Sequence, residues 1–511
     1  MERRAFLQSG AAAALLSFGS RWILSCGGDI APPKPAATPG PTATTWGPTT
    51  TTSGPTMAEQ LATFVRGARF EDLTPQMLET YKMHVLDTMG CAIGALSAQP
   101  MKKVRAMVDE LSAPGRCMLI GGGKVAIDLA ALYNSSLERY LDFNDTYLAP
   151  GESLHPSDNL PAVLAACEYA GGSGRDFLTA LAVAYQVQCR LSYVAPVRAR
   201  GFDHTTQGAY AVASGVSRAL GLDQAAASNA IAICGTAYPA LRVTRSGLLS
   251  NWKGLAYPNT AFNCTSGAML ARHGITAPLD VFEGVNGFMQ DIAGPFTIDW
   301  TKEKLDIIPQ TSLKLYDAEF HGQSAIADAL EIQQKTPFKG ADVARVDIEI
   351  FQVAYDIIGG GIDGDKDVIH TKEQADHSLP YMVAVALLDG QVTEAQYTAA
   401  RIASPDVQTL LKKVRTKPAD DLSKLFPARM PVRMTITLNN GQKSSGYKDD
   451  YYGFYTRPWD WKATEEKFQE LTAPFADSTL RGELVRTVKS LDTLALISQL
   501  TDLLGRVGAP R

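Results

Sequence analysis

The residues whose types suit proton-transfer chemistry crowd into one stretch, Asp142-Phe-Asn-Asp-Thr-Tyr-Leu-Ala-Pro-Gly-Glu-Ser-Leu-His155-Pro-Ser-Asp-Asn159. It holds four acids, a threonine, a tyrosine and a histidine. Imidazole and carboxylate are the side chains most used as general acids and bases. Pro150, Gly151 and Pro156 exclude a continuous helix here. The flanks, 126–141 and 160–169, are apolar at helical spacing, so the stretch reads as a polar loop between two helices. Ser157, Asp158 or Asn159 can cap the second helix, whose free N–H groups would attract a carboxylate. By itself the stretch suits a capping loop with a solvated histidine as well as it suits acid–base work on an acidic substrate.

Other polar islands repeat this ambiguity. The chain has seven histidines. His84 lies inside an apolar helical run and His273 just past one, which are structural settings; His370 sits in a Gly/Asp-rich loop. His155, His204, His321 and His377 each stand beside the start of a helical run. His204-Thr-Thr-Gln-Gly208 opens an Ala-rich helix. The stretch from Arg242 through Arg245 to Lys253-Gly254 gathers cations in a region otherwise poor in charge. A desolvated lysine there can be proton donor, base or carboxylate anchor. Two further islands run from Lys314 through Glu319 to His321-Gly322 and from Asp376-His377 to Tyr381. Each of these also suits a cap or a solvated loop.

The elements that must position these groups are mostly helical. The chain has 511 residues, 45% of them hydrophobic and 20% charged, which is ordinary globular composition with room for more than one core. A net charge of -5 with no basic concentration argues against nucleic acid as a partner. From Met57 to about Ile275 the pattern is helical almost throughout, with Thr74-Pro75 as a start signal for 73–95 and Gly90 and Gly94 where helices can approach closely. Near Ile307 the character changes. Residues 344–354 alternate like a strand, and 432–438, Asn439-Asn440-Gly441 and 442–447 read as a hairpin. Residues 378–389 and 393–401 look helical, as do 459–471 and 484–504. The expected class is therefore mainly α: a helical part over 57–308, a smaller α+β domain over 309–455, and helices again over 456–511.

Residues 1–56 are expected to stand outside this fold. Arg3-Arg4 followed by the apolar run 11–19 is a twin-arginine signal pattern, too short to span a bilayer. Ile23-Leu24-Ser25-Cys26-Gly27 resembles a lipoprotein processing site. The expectation is a signal over 1–25 and a Pro/Thr-rich disordered linker over 26–56. The chain would then be periplasmic or extracytoplasmic, reaching a membrane only through that signal or a lipid on Cys26. The seven cysteines show no CxxC spacing, which argues against a zinc ribbon or an iron–sulfur cluster. Most sit in apolar surroundings and read as core residues.

Taken in order, the islands resemble the MmgE/PrpD family, which includes 2-methylcitrate dehydratase, cis-aconitate decarboxylase and iminodisuccinate epimerase. The matching pieces are Asp142-Phe-Asn-Asp-Thr146 with His155-Pro-Ser-Asp-Asn159, His204 with its helix, Ser250-Asn-Trp-Lys253-Gly254, Ala318-Glu319-Phe-His321-Gly-Gln323, and Ala375-Asp-His-Ser-Leu-Pro-Tyr381. The resemblance spans about 57–504. It implies one large all-helical domain made from 57–308 and 456–511, closed by the 309–455 part inserted as a smaller α+β lid, a homodimer, and no metal or organic cofactor. It implies a lyase acting on a small di- or tricarboxylic acid by α-proton abstraction, most simply a dehydratase like that for 2-methylcitrate. Epimerisation or decarboxylation at the same site, or an exported binding protein without catalysis, are the alternatives. Carried over by position, His155, His204, Lys253, Asp142 and Tyr381 would be catalytic. Thr146, Arg245, Lys314 and His321 would bind substrate. The chain departs from the family where Tyr316-Asp317-Ala318 replaces a more usual Phe-Pro-Ala. It departs again where Glu319 stands in place of a histidine of the decarboxylases, which weighs against decarboxylation.

Overall fold

The computed structural model describes residues 54–508. The twin-arginine pair, the apolar run, Cys26 and nearly all of the expected linker lie outside them. The described chain begins with a cap: the Thr56 hydroxyl accepts from the Glu59 N–H while the Glu59 carboxylate accepts from the Thr56 N–H, closing the start of helix Met57–Gly67.

The architecture is mainly helical, and its buried apolar side chains fall into two clusters. The first joins residues 58–308 to 468–507, and the second takes in 318–454. In the first, helix Ile127–Tyr140 packs on Trp252–Arg272, Gly174–Val194 on Thr205–Ala219, and the late helix Trp461–Thr472 returns against Pro75–Gly94. That return explains the small residues in the early helix. A Cβ at Gly90 would lie 3.3 Å from the Phe468 ring, and one at Gly94 3.4 Å from Leu471, so larger side chains would press on the returning helix.

The second cluster backs a four-stranded sheet in the order Val414–Pro418, Val343–Ile350, Val432–Leu438, Lys443–Lys448. The first pair is parallel and the others antiparallel. Val432–Leu438 alternates buried and partly exposed residues strictly, because only one face is covered. Helices Gln323–Lys335 and Leu379–Asp389 supply that cover.

Several boundaries differ from the sequence reading. The strand expected over 344–354 stops at Ile350, and helix Gln352–Ile358 follows, burying Ala354, Ile357 and Ile358. The helix expected over 393–401 is a 3-10 turn at Glu394–Tyr397 and a short helix at Ala399–Ile402. The helix expected over 484–504 is broken into Ser478–Lys489, a 3-10 turn at Leu491–Thr493 and Ser498–Leu504. All six described cysteines are buried free thiols. No helix among the described residues is long and apolar enough to cross a membrane.

Candidate active site

The stretch from Asp142 to Asn159 is less irregular than its sequence suggests. After helix Ile127–Tyr140 it turns into a small hairpin, Thr146–Ala149 with Glu152–Leu154, and Thr311–Ser312 adds a third strand. Gly151 takes φ +76° in the turn, a conformation that suits glycine. A 3-10 turn, Pro156–Asn159, then leads into helix Leu160–Ala170. Asn159 sits at the cap position, but its side chain does not cap the helix. Its Nδ2 donates instead to the Pro156 carbonyl at 2.9 Å and to Gln188 at 2.6 Å, and its Oδ1 accepts from the Tyr257 hydroxyl at 2.8 Å. The Asp145 carboxylate accepts from the Ser157 N–H at 3.0 Å and from the Tyr185 hydroxyl at 2.9 Å. These bonds fix the path of the chain on either side of His155.

That path presents His155 to a polar cavity lined by Arg139, Asp142, Glu152, Arg198, His204, Arg242, Arg245, Glu319 and His377. His155 Nδ1 lies 2.7 Å from the Asp145 carbonyl, an acceptor only, so Nδ1 carries the proton and donates. The lone pair is then on Nε2, which has no hydrogen-bond partner among the described residues. Burial, reinforced by Arg139 and Lys314, holds the His155 pKa well below 6.5. The ring is therefore neutral at neutral pH, the state a proton acceptor needs. His204 faces it edge-on, with ring centroids 5.8 Å apart. Burial also lowers the His204 pKa, with Asp203 opposing, and its buried Nε2 makes no hydrogen bond, Asp158 lying 3.9 Å away. His377 completes the set from the second half of the chain. Its Nδ1 lies 2.8 Å from Asp376, and burial followed by Lys253 lowers its pKa.

Four arginines surround these rings, and none is fully matched. Arg245 pairs with Asp203 at 2.9 Å, Arg242 with Asp363 at 2.6 Å and Arg198 with Asp363 at 3.3 Å; Arg139 lies 3.4 Å from Asp142. Yet Nε of Arg139, Arg198 and Arg242 and Nη2 of Arg245 are buried with no hydrogen-bond partner. A buried donor left unmatched costs about 1–3 kcal/mol, more when charged. Four at one cavity mark a place where an anion fits.

Lys253 and Lys314 belong to a different arrangement, an ion network beside the cavity. Lys253 Nζ lies 3.0 Å from Asp142 and 2.7 Å from Asp376. Lys314 Nζ reaches Asp142 at 2.5 Å and Lys372 reaches Asp376 at 2.8 Å. Burial alone would raise the Asp142 pKa; Lys253, Lys314 and Arg139 outweigh it and hold the carboxyl well below its usual range. Donor atoms of Asp142, Asp376 and His377 come within 4.8 Å of one another, a spacing that suits a metal ion. The Lys253 ammonium already bridges both carboxylates, so a second cation would meet direct repulsion.

The structure thus brings together His155, His204, Arg245 and Asp142 from the sequence-derived set, with Lys253 and Lys314 behind Asp142. Thr146 stands behind the base, its hydroxyl 3.2 Å from His155 Nδ1. His321 does not line the cavity. It holds Glu319, which does, with Nδ1 at 2.7 Å and the backbone N–H at 2.8 Å, while its ring packs against Phe351 and Phe426. Burial alone would raise the Glu319 pKa, but these contacts hold it at about 2. Tyr381 lies apart in the second apolar cluster, stacked on Tyr397, with its hydroxyl donating to the Gln396 carbonyl. It leaves no donor for the cavity, because helix Leu379–Asp389 turns that side chain toward the sheet's cover.

The cavity also holds residues that sequence reasoning did not place there. Arg139 lies in the last turn of an amphipathic helix, where an arginine reads as a solvated C-terminal charge. Arg198 lies in a 3-10 turn with no motif around it. Arg242, Glu319 and His377 were visible in polar islands. Nothing local separates them from their neighbours, and only the fold turns them inward.

Comparison with known proteins identifies the family of this chain. The MmgE/PrpD N-terminal domain matches residues 59–301, which carry the arginines, His155 and His204, and the MmgE/PrpD C-terminal domain matches 316–493, which carry Glu319 and His377. The chain is 27% identical over 402 residues to 2-methylcitrate dehydratase of Cupriavidus necator, covering 73% of this chain and 81% of that protein. It is 27% identical over 387 residues to the 2-methylcitrate dehydratase of Escherichia coli K12, covering 69% and 76%. It is 24% identical over 475 residues to human cis-aconitate decarboxylase, covering 88% and 94%. With two domains matched in order across most of its length, the chain belongs to the MmgE/PrpD family.

Proposed function

We propose that this protein is a lyase that dehydrates a small hydroxylated di- or tricarboxylic acid, in the manner its 2-methylcitrate dehydratase relatives are named for. One observation carries the reading: a neutral imidazole, His155, offers an unpartnered Nε2 to a cavity where four guanidinium groups keep unpartnered N–H donors.

In the proposed reaction Nε2 of His155 removes the proton alpha to a substrate carboxylate. The electron pair moves into that carboxylate, giving an enediolate with two negative oxygens. Arg139 and Arg245 stabilise the growing charge through buried donors that make no hydrogen bond among the described residues, Arg139 Nε lying 3.6 Å from Asp158. The pair then returns to form the alkene as the β-hydroxyl leaves, taking a proton from the opposite wall and departing as water. His377 serves as that acid: burial and Lys253 lower its pKa, so it takes up its proton together with the anionic substrate, whose charge adds to that of Asp376 and Asp142 at 2.8 and 3.4 Å from its Nδ1. Lys253 acts as a positioning residue, fixing Asp142 and Asp376. Thr146 and Asp145 orient the base.

A second reading draws on the edge-on pair His155 and His204, two imidazoles on one cavity, as a two-base epimerase would need. Proton NMR in deuterated water with 2-methylcitrate, citrate, cis-aconitate, malate, tartrate and iminodisuccinate separates the readings. Gain or loss of an alkene signal supports the dehydratase; exchange of the alpha proton without net conversion supports the epimerase. Inertness toward every acid in a folded sample rejects both. We further propose export by the twin-arginine signal and assembly as a homodimer. Cell fractionation of an Arg3→Lys/Arg4→Lys chain and light scattering test these two points.

A further inference from the structure

Two of the four cavity arginines share a partner that does not line the cavity. Asp363 lies in the connection between helix Gln352–Ile358 and the short helix Lys372–Ala375. Its carboxylate is buried and accepts from Arg242 at 2.6 Å and Arg198 at 3.3 Å, and its carbonyl accepts from the Gly247 N–H at 3.3 Å. The connection thereby lies across the loops that carry Arg198, Arg242 and Arg245. Ile362 beside Asp363 is 84% exposed, and Gly360 and Gly364 adopt φ of +101° and +98°. One carboxylate serves two guanidinium groups, and the Nε atoms of both remain buried and unpartnered.

We infer that Asp363 is a specificity-determining residue that stands in for a ligand carboxylate at Arg198 and Arg242. Resting on the proposed function, the second carboxylate of a di- or tricarboxylic acid reaches these arginines only in competition with Asp363. One carboxylate replaces another, so the gain in affinity is small and the product can leave. A monocarboxylate held at Arg139 and Arg245 never meets that competition. Asp363 therefore sets how strongly the protein prefers polycarboxylates.

The test is binding without turnover, by calorimetry on the full-length chain. The probes are tricarballylate, which has neither hydroxyl nor alkene, and butyrate. Removing the charge with Asp363→Asn should tighten tricarballylate by about tenfold, which is roughly one charged hydrogen bond regained. Butyrate should change by less than about twofold, well under the energy of one such bond. Asp365→Asn, which removes an exposed charge from the same connection, should change neither. Asp363→Ser carries the same expectation if the Asn variant fails to fold. Unchanged or weaker tricarballylate binding by a folded Asp363 variant overturns the inference, as does equal tightening by Asp365→Asn. If neither the parent chain nor the variants bind tricarballylate, the carboxylate-cavity reading fails and takes this inference with it.

Discussion

The cavity around His155 and the ion network around Asp142 share residue types, a wall and the same deep burial, yet they differ in how completely their polar atoms are matched. In the network, Asp142 is held by Lys253, Lys314 and Arg139, and Asp376 by Lys253 and Lys372. No side-chain atom of Asp142, Lys253, Lys314 or Asp376 is among the described buried atoms without a partner. In the cavity the guanidinium donors of four arginines and the Nε2 of His204 are unmatched. Buried polar groups are normally satisfied, so a cluster of exceptions needs an explanation. A matched network holds geometry, and an unmatched cavity accepts a ligand.

The sharpest way to break this contrast is to remove the base. His155→Gln should lower turnover by about 10²–10⁴-fold, the usual contribution of a positioned general base, with little change in stability. Near-normal turnover by the folded variant would remove His155 from the reaction. The same residue sets the acid limb of the pH profile. The proton must be off Nε2, and burial keeps the His155 pKa well below 6.5, so the rising limb of kcat/KM should have its half-maximum below pH 6.5. A half-maximum at or above 6.5 would contradict a buried, neutral base.

The network should break differently. Lys253→Met removes the cation shared by Asp142 and Asp376, leaving them to Lys314 and Lys372, and should destabilise the fold by about 1.5–3 kcal/mol, read from denaturant unfolding. A stable Lys253→Met chain that merely binds substrate poorly would place Lys253 with the ligand-binding groups instead. Arg198→Gln is the counterpart in the cavity. It should raise KM for a polycarboxylate about tenfold while shifting stability by less than about 1 kcal/mol. A loss of stability without a change in KM would blur the distinction. The smallest effect belongs to Tyr381→Phe. Its hydroxyl serves the Gln396 carbonyl, so kcat should stay within about twofold and stability should fall by roughly one hydrogen bond, about 1 kcal/mol. A large drop in kcat would mean that the closed catalytic state differs from this one.

What the sequence revealed follows the range of the physics behind it. Short-range signals were legible. Thr74-Pro75 starts the helix Pro75–Gly94, Asn439-Asn440-Gly441 turns the hairpin, and Gly90 and Gly94 mark a close helix contact. The hairpin inside 142–159 was not legible, because strands of four and three residues are too short for alternation to register. Residues 344–354 misled because the break in alternation at Ile350-Phe351 is a single step, and there the chain turns into a helix. At the site, the histidines stood out by scarcity, whereas Arg139 and Arg198 looked like ordinary surface cations. Tyr381 shows the opposite error: a residue placed in the site by resemblance lies in the second apolar cluster here.

The most direct test of the central claim is solvent exchange at the substrate carbon. The parent chain and His155→Gln are incubated in deuterated water with the acid that the NMR panel identifies, and deuterium at the alpha position is followed over time. The account predicts rapid incorporation, with alkene formation, by the parent chain, and loss of both in the variant while tricarballylate binding is retained. Deuterium incorporation by His155→Gln at the parent rate would show that another group removes the proton, and the assignment of this cavity would have to be redrawn.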